Sequence, residues 1–204
     1  MPRARSTAAT GFYHVINRSA DQAPLFERPE DYRAFLEILR QGLARFRSPL
    51  ISYCILENHW HLLIGPVGKS RLSRTIQWVT TTHEHSLHRQ RGTQRDRPVY
   101  ESRFISTPIQ DLATLVPMSR YVERNAKSAG LVELAEDWPW SSLCQRARGQ
   151  RLIPITPAAF LASRSWLDYV NAAITRQERQ AQQAFRQIRA PIAPSRSNGF
   201  IIDT

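Results

Sequence analysis

Two histidines flank a tryptophan in "ILENHWHLLIGP" (residues 55–66), an apolar run with strand character. Side chains alternate along a strand, so His59 and His61 share one face, about 7 Å apart. Trp60, Leu62 and Ile64 take the other face, where they can pack against helices. Two imidazoles so placed are close enough to share one ion. Three readings are open: hydrogen-bonded core histidines, a structural metal site, or half of a catalytic metal site. Burying both rings without partners would be costly, and neutral imidazole is a common metal ligand. The "HEH" at His83, Glu84 and His85 is a contrast. On a helix, residues two apart project about 200° from each other, so these rings cannot easily grip one ion. His83, His85 and His88 are expected on a helix surface, with some scope to touch phosphate.

Two histidines do not complete a site. "RYVERNAKSAGLV" (120–132) can supply both a third ligand and a reacting group. Tyr121 and Asn125 are four apart on a predicted helix and face the same way. They run along the edge of its apolar stripe of Leu115, Met118, Val122 and Ala126. From an edge they could reach the sheet while keeping polar atoms near a wet site. The plainer alternative is an amphipathic tyrosine resting on a core.

The elements that must position these groups follow from periodicity. "TGFYHVINRS" (10–19) alternates and reads as a first strand. Residues 28–46 read as a helix, with Pro29 near its start and Phe35, Leu36, Leu39, Leu43 and Phe46 at helical spacing. Strands follow at 49–58 and 59–65, joined by a tight turn near Glu57–Asn58, then a helix at 70–91 and a loop at 92–98. A fourth strand is expected at 99–107 and a third helix at 111–130, with Asp111 as N-cap and Gly130 as its stop. Pro117 should kink that helix or mark its true first turn. The order β-α-β-β-α-β predicts an α+β, ferredoxin-like split βαβ fold: an antiparallel sheet with helices on one face. Beyond about 150 the pattern weakens. The chain divides into a domain at 1–150 and a basic, helical C-terminal extension at 151–204, with a helix at 166–174 and a tail at 190–204.

Charge narrows the partner. The formal net charge is +11, and Lys69 and Lys127 are the only lysines among 28 basic residues. Arginine binds phosphate bidentately and stacks on bases. A codon bias could favour arginine over lysine but does not explain the positive sum, so a polyanion, most plausibly nucleic acid, is the expected partner. No apolar run approaches the ~20 residues of a membrane span. Cys54 and Cys144 match no metal-ligand spacing and fit a reduced cytoplasm.

"NHWHLLIGP" (58–66) resembles the His-hydrophobic-His motif of HUH single-strand DNA nucleases, and "RYVERNAKSAGLV" resembles the Tyr-x-x-x-Asn helix of REP-associated tyrosine transposases. "YHVINR" (13–18), "LFERPEDYRAFLEIL" (25–39), "SRF" (102–104) and "WPWSS" (138–142) are similar to family segments in the same order, so the likeness covers residues 12 to about 145. It implies a ferredoxin-like catalytic domain with His59, His61 and Asn125 as metal ligands and Tyr121 as nucleophile. It further implies Mg²⁺ or Mn²⁺, single-stranded DNA hairpins as substrate, a 5′-phosphotyrosine intermediate, and a bacterial cytoplasmic setting at the nucleoid. Arg3, Arg5, Arg18, Arg71, Arg74, Arg89, Arg91, Arg95, Arg103 and the tail arginines are the candidate DNA contacts, with Trp78 or Tyr100 for base stacking. A monomer acting in cis is expected, with a swapped dimer as the alternative. The loop "SADQ" (19–22), Asn125–Ala126 in place of the family's Asn-Pro, and the tail depart from the family pattern. Two rivals stand: a hairpin-binding protein that has lost turnover, and a zinc-stabilised RNA-binding module in which Tyr121 is structural.

Overall fold

The computed structural model describes residues 11–93, 97–109, 111–176 and 178–180. Four strands, β1 (Tyr13–Arg18), β2 (Leu50–Leu56), β3 (His59–Ile64) and β4 (Ile105–Pro108), form one sheet in the order β2-β3-β1-β4. Every neighbouring pair is antiparallel. Helices α1 (Pro29–Phe46) and α2 (Lys69–Arg91) connect β1 to β2 and β3 to β4, which completes the expected ferredoxin-like order. Short helices α5 (Ser142–Ala147) and α6 (Arg164–Asn171) come after α3 (Leu112–Glu123) and α4 (Asn125–Ser128). Among the described residues, those up to Ala172 cluster as one compact unit, and those from Ala173 onward fall outside it.

Alternation decides which face receives the long helices. Val15, Tyr53, Ile55, Trp60, Leu62 and Ile64 project to one side, where Phe35 and Leu39 of α1 and Leu72, Ile76 and Val79 of α2 close over them. Trp60, Leu62 and Ile64 are fully buried there. Pro29 presets the first turn of α1, and the Asp31 carboxylate accepts the Glu27 and Arg28 amides at 3.0 and 2.9 Å, satisfying donors at the helix start. β3 is followed by Gly65, where a Cβ would lie 2.6 Å from the Gly11 carbonyl oxygen, so only glycine permits that approach. The outer edge of β2 is not left open. Thr156 N–H donates to the Leu50 carbonyl at 2.7 Å, Ile55 N–H to the Trp140 carbonyl at 2.9 Å, and Tyr53 N–H to Ser142 Oγ at 3.0 Å.

Helix α3 lies across the opposite face of the sheet, with Tyr121 against His14 of β1 and His61 of β3. Asp111 caps it as expected, its Oδ1 accepting the Thr114 amide at 2.7 Å. Pro117 falls inside α3 rather than in its first turn. Arg124 interrupts the helix between α3 and α4, and Gly130 follows α4 at φ +73°.

Three expectations need correction. His83 and His88 are buried, and of the "HEH" pair only His85 lies on the surface. His83 falls on the stripe of Leu72, Ile76, Val79 and Leu87, and its Nδ1 lies 2.6 Å from the Tyr100 hydroxyl. Trp60 Nε1 donates to the same hydroxyl at 3.2 Å. Tyr100 is therefore buried in the core and does not serve as a base-stacking platform. The fourth strand is shorter than 99–107 because Tyr100 makes only an isolated bridge to Ser19 before β4 begins at Ile105.

Candidate active site

The sheet register brings together residues that no single segment reveals. His61 pairs with Ile16, His59 with Arg18, and Leu63 with His14, so these side chains share the face that α3 crosses. The His59 and His61 ring centroids are 5.1 Å apart, with the rings nearly perpendicular. The Asn58 amide oxygen lies 2.8 Å from His59 Nδ1, which places a proton on that nitrogen and the lone pair on Nε2. His59 is half-buried, and His61 is only 2% exposed.

Tyr121 stands over this pair from α3. Its ring meets His61 edge-on at 5.6 Å and 85°, and meets His14 at 5.6 Å and 89°. The tyrosine is half-buried. Asn125 begins α4 at 8% exposure, one turn beyond Tyr121. The i to i+4 backbone bonds continue past the break, Arg124 N–H to the Arg120 carbonyl at 2.9 Å and Ala129 N–H to the Asn125 carbonyl at 2.9 Å, so the expected helical offset persists. The structure thus gathers His59, His61 and Tyr121 at one place, with Asn125 buried on the same helical run.

His14 is the residue that sequence reasoning missed. It is completely buried, and its Nε2 lies 2.9 Å from His61 Nδ1. The two rings are 7° from parallel with centroids 5.2 Å apart, which is what two coplanar imidazoles joined through an in-plane N–H···N bond give. Its signal was present in "YHVINR": His14 has the strand parity of Ile16 and Arg18. Only the pairing of β1 with β3 reveals which histidine it meets.

A buried carboxylate holds the tyrosine helix in place. Glu123, two residues after Tyr121, is fully buried and accepts from Ser142 Oγ at 2.5 Å, Trp166 Nε1 at 2.7 Å and Arg146 Nη2 at 2.6 and 2.7 Å. Arg120 and Arg124 reach the C-terminal end of α6, donating to the Ala172 and Val170 carbonyls at 2.7 and 2.5 Å. Cations there complement the helix dipole. The Arg120 guanidinium also lies 4.3 Å from the Tyr169 ring centroid.

The candidate DNA arginines fall into distinct settings. Arg18 is exposed at the end of β1 and directly opposes His59. Arg71 and Arg74 are exposed at the start of α2 and line a shallow cavity of about 550 Å³ with Gly11, Val67, Gly68 and Ser70. Arg89 and Arg103 are also exposed. Arg91 is engaged by the protein itself, 3.2 Å from Glu27 and donating to the Pro24 carbonyl at 2.9 Å. Arg3, Arg5, Arg95 and the tail arginines beyond 180 lie outside the described residues. Trp78 is partly buried against the core.

Fold and site together define an α+β domain in which a helix-borne tyrosine faces a histidine pair on a central strand. The family model for IS200-like transposases matches residues 8–125, and the chain belongs to that family. A Haemophilus influenzae protein named as a REP-associated tyrosine transposase is 23% identical over 139 residues, covering 64% of this chain and 77% of that protein. A solved REP-associated tyrosine transposase bound to a REP hairpin superposes with a TM-score of 0.52 at 17% identity, covering 86% of this chain and 99% of that one. The likeness to REP-associated tyrosine transposases and the ferredoxin-like fold are both borne out. Membership in a transposase family makes the chain a DNA-processing enzyme. Among the described residues no helix is long and apolar enough to cross a membrane.

Proposed function

We propose that the chain is a metal-dependent single-strand DNA endonuclease and strand transferase that acts on palindromic hairpin elements through a 5′-phosphotyrosine intermediate. The observation that carries this reading is Tyr121 seated edge-on against His61 of the His59–His61 pair. Both ends of the chemistry come from one chain, which supports action in cis by a monomer. The relative bound to a REP hairpin supports hairpin DNA as the substrate class.

The donor set fits a divalent ion. Among the described residues no group of three or more His, Cys, Asp or Glu side chains could hold a metal ion. Asn125, buried one turn beyond Tyr121, would supply an amide oxygen as the third donor. His59, His61 and Asn125 would hold the ion, Mg²⁺ or Mn²⁺. When bound, it supplies Lewis-acid stabilisation of charge on the scissile phosphoryl group. Tyr121 Oη forms the new bond to phosphorus while the bond to the 3′-oxygen breaks, and the departing oxygen takes up a proton to become the 3′-hydroxyl. The phosphotyrosine conserves the phosphodiester energy, so a second 3′-hydroxyl can attack phosphorus and release the tyrosine. Arg18, opposite His59, is the arginine best placed to meet a phosphate at this site. Arg71 and Arg74 would follow the backbone at the start of α2.

The test incubates the protein and Tyr121→Phe with labelled single-stranded hairpin DNA from its own genome and Mn²⁺, then resolves the products on a denaturing gel. Wild type should leave a covalent adduct and Tyr121→Phe none. No wild-type adduct would favour a hairpin-binding protein without turnover, and equal adduct in the variant would remove Tyr121 from the chemistry.

A further inference from the structure

The hydrogen bond between His14 and His61 has a direction, and that direction decides whether His61 can ligate. The two nitrogens are His14 Nε2 and His61 Nδ1, 2.9 Å apart in nearly coplanar rings. One of them carries the shared proton. If His14 were the donor, neutral His61 would carry its own proton on Nε2, and its only lone pair would be spent on His14. That His61 could not bind a metal ion through either nitrogen. If His61 donates through Nδ1, its lone pair is on Nε2, across Cε1 from the bond. The His59 ring, with Asn58 accepting from Nδ1, has the same arrangement.

We propose that His14 is a positioning residue for the metal site: it accepts the His61 Nδ1–H, fixing His61 in the Nδ1–H tautomer and holding its ring so that Nε2 is the ligating atom. The inference rests on the metal-dependent reading above and names a part that the motif itself lacks. Three observations support it. His14 is completely buried on the central strand β1, so its ring has no solvent route to another orientation. The in-plane geometry fixes the His61 ring rotation, with Nδ1 turned to His14. Tyr121 meets both rings edge-on at the same 5.6 Å, so rotation of either ring would disturb the seat of the tyrosine. Partners that orient metal-ligating histidines typically govern affinity by 10- to 100-fold.

Two measurements on the full chain test this. Long-range ¹H–¹⁵N correlation of the imidazoles, without metal, should show His61 as the Nδ1–H tautomer. Finding the Nε2–H tautomer at His61 would overturn the proposal. Mn²⁺ binding, followed by loss of the free-ion EPR signal, should weaken by about 10- to 100-fold in His14→Phe, which keeps a ring against Tyr121 but offers no acceptor. His14→Gln, whose side-chain oxygen sits the same number of bonds from Cβ as the lost Nε2, should stay within a few fold of wild type. If wild type binds Mn²⁺ and His14→Phe matches it within twofold, His14 loses its role while the metal reading stands. If wild type binds no Mn²⁺, the metal reading fails and the proposal goes with it. Because the tautomer is read on wild type, an unfolded variant would still leave the proposal open to refutation.

Discussion

Replacing Glu123 with alanine should destabilise the fold more than any exposed substitution, by an amount that follows from what its carboxylate holds. The side chain is fully buried and accepts from Ser142, Trp166 and Arg146. Removing one member of a buried ion pair costs about 3–5 kcal/mol, because the other charge is left uncompensated. Ser142 adds little, since its hydroxyl already has the Tyr53 carbonyl within reach at 3.2 Å. Trp166 Nε1 has no such alternative among the described residues, and a stranded donor costs about 1–3 kcal/mol. Working the other way, Arg146 keeps 23% of its side chain exposed and can partly rehydrate. These corrections oppose each other, so about 3–5 kcal/mol stands. For a domain of this size 1 kcal/mol moves Tm by about 2–4 °C, giving a fall of roughly 6–20 °C by thermal circular dichroism. The mechanism has its own control in the double variant Glu123→Met/Arg146→Met. It removes both charges while keeping apolar volume, and should recover at least half of the loss. A Glu123→Ala protein melting within 2 °C of wild type (about 1 kcal/mol or less) would refute the reasoning. A double variant no better than the single one would show that packing, rather than a stranded charge, had been lost.

Three more outcomes follow from the same structure. Burial, and after it the nearby Arg91 charge, depress the His83 imidazole from 6.5 to about 3. Its contribution is complete above pH 6.5 and is lost as pH falls toward about 3, because the unfolded chain takes up that proton first. Unfolding free energies from urea melts should therefore fall more steeply between pH 7 and 5 in wild type, by up to about 1.4 kcal/mol per pH unit, than in His83→Asn; parallel curves would contradict this. Gly42→Ala should lower stability by about 1–2 kcal/mol despite the better helix propensity. The added Cβ would meet Val79 Cγ2 at 2.5 Å where α1 crosses α2, and an unchanged chemical-denaturation midpoint would show that Val79 can move aside. Arg71→Ala/Arg74→Ala should weaken hairpin binding evenly across sequences and reduce the slope of log K against log salt by about 1–2; a sequence-selective loss would instead place these arginines on bases.

What could be read from the chain, and what could not, divides along a physical line. Alternation within β3 correctly set His59 and His61 on the face opposite Trp60, Leu62 and Ile64, because side-chain parity is a property of one strand alone. Helical spacing likewise located the Tyr121–Asn125 run and the Asp111 cap. The burial of His83 was legible too: it continues the spacing of Leu72, Ile76 and Val79, and only its polar type argued for the surface. The fate of Tyr100 was harder to read, since a core tyrosine whose hydroxyl serves His83 and Trp60 has the local pattern of an exposed strand residue. His14 belongs to a third kind. Its parity was readable, but its partner depends on register, and a shift of one residue between β1 and β3 would put it on the other face relative to His61. Register is set by long-range packing, here by Val15 and Leu62 meeting in the core, and one strand cannot announce it. A histidine pair written in a single strand can therefore be recognised without the buried histidine that meets it across the sheet. The pairing of two strands is what turns two histidines in an apolar run into a histidine hydrogen-bonded across the sheet, with a tyrosine seated against it.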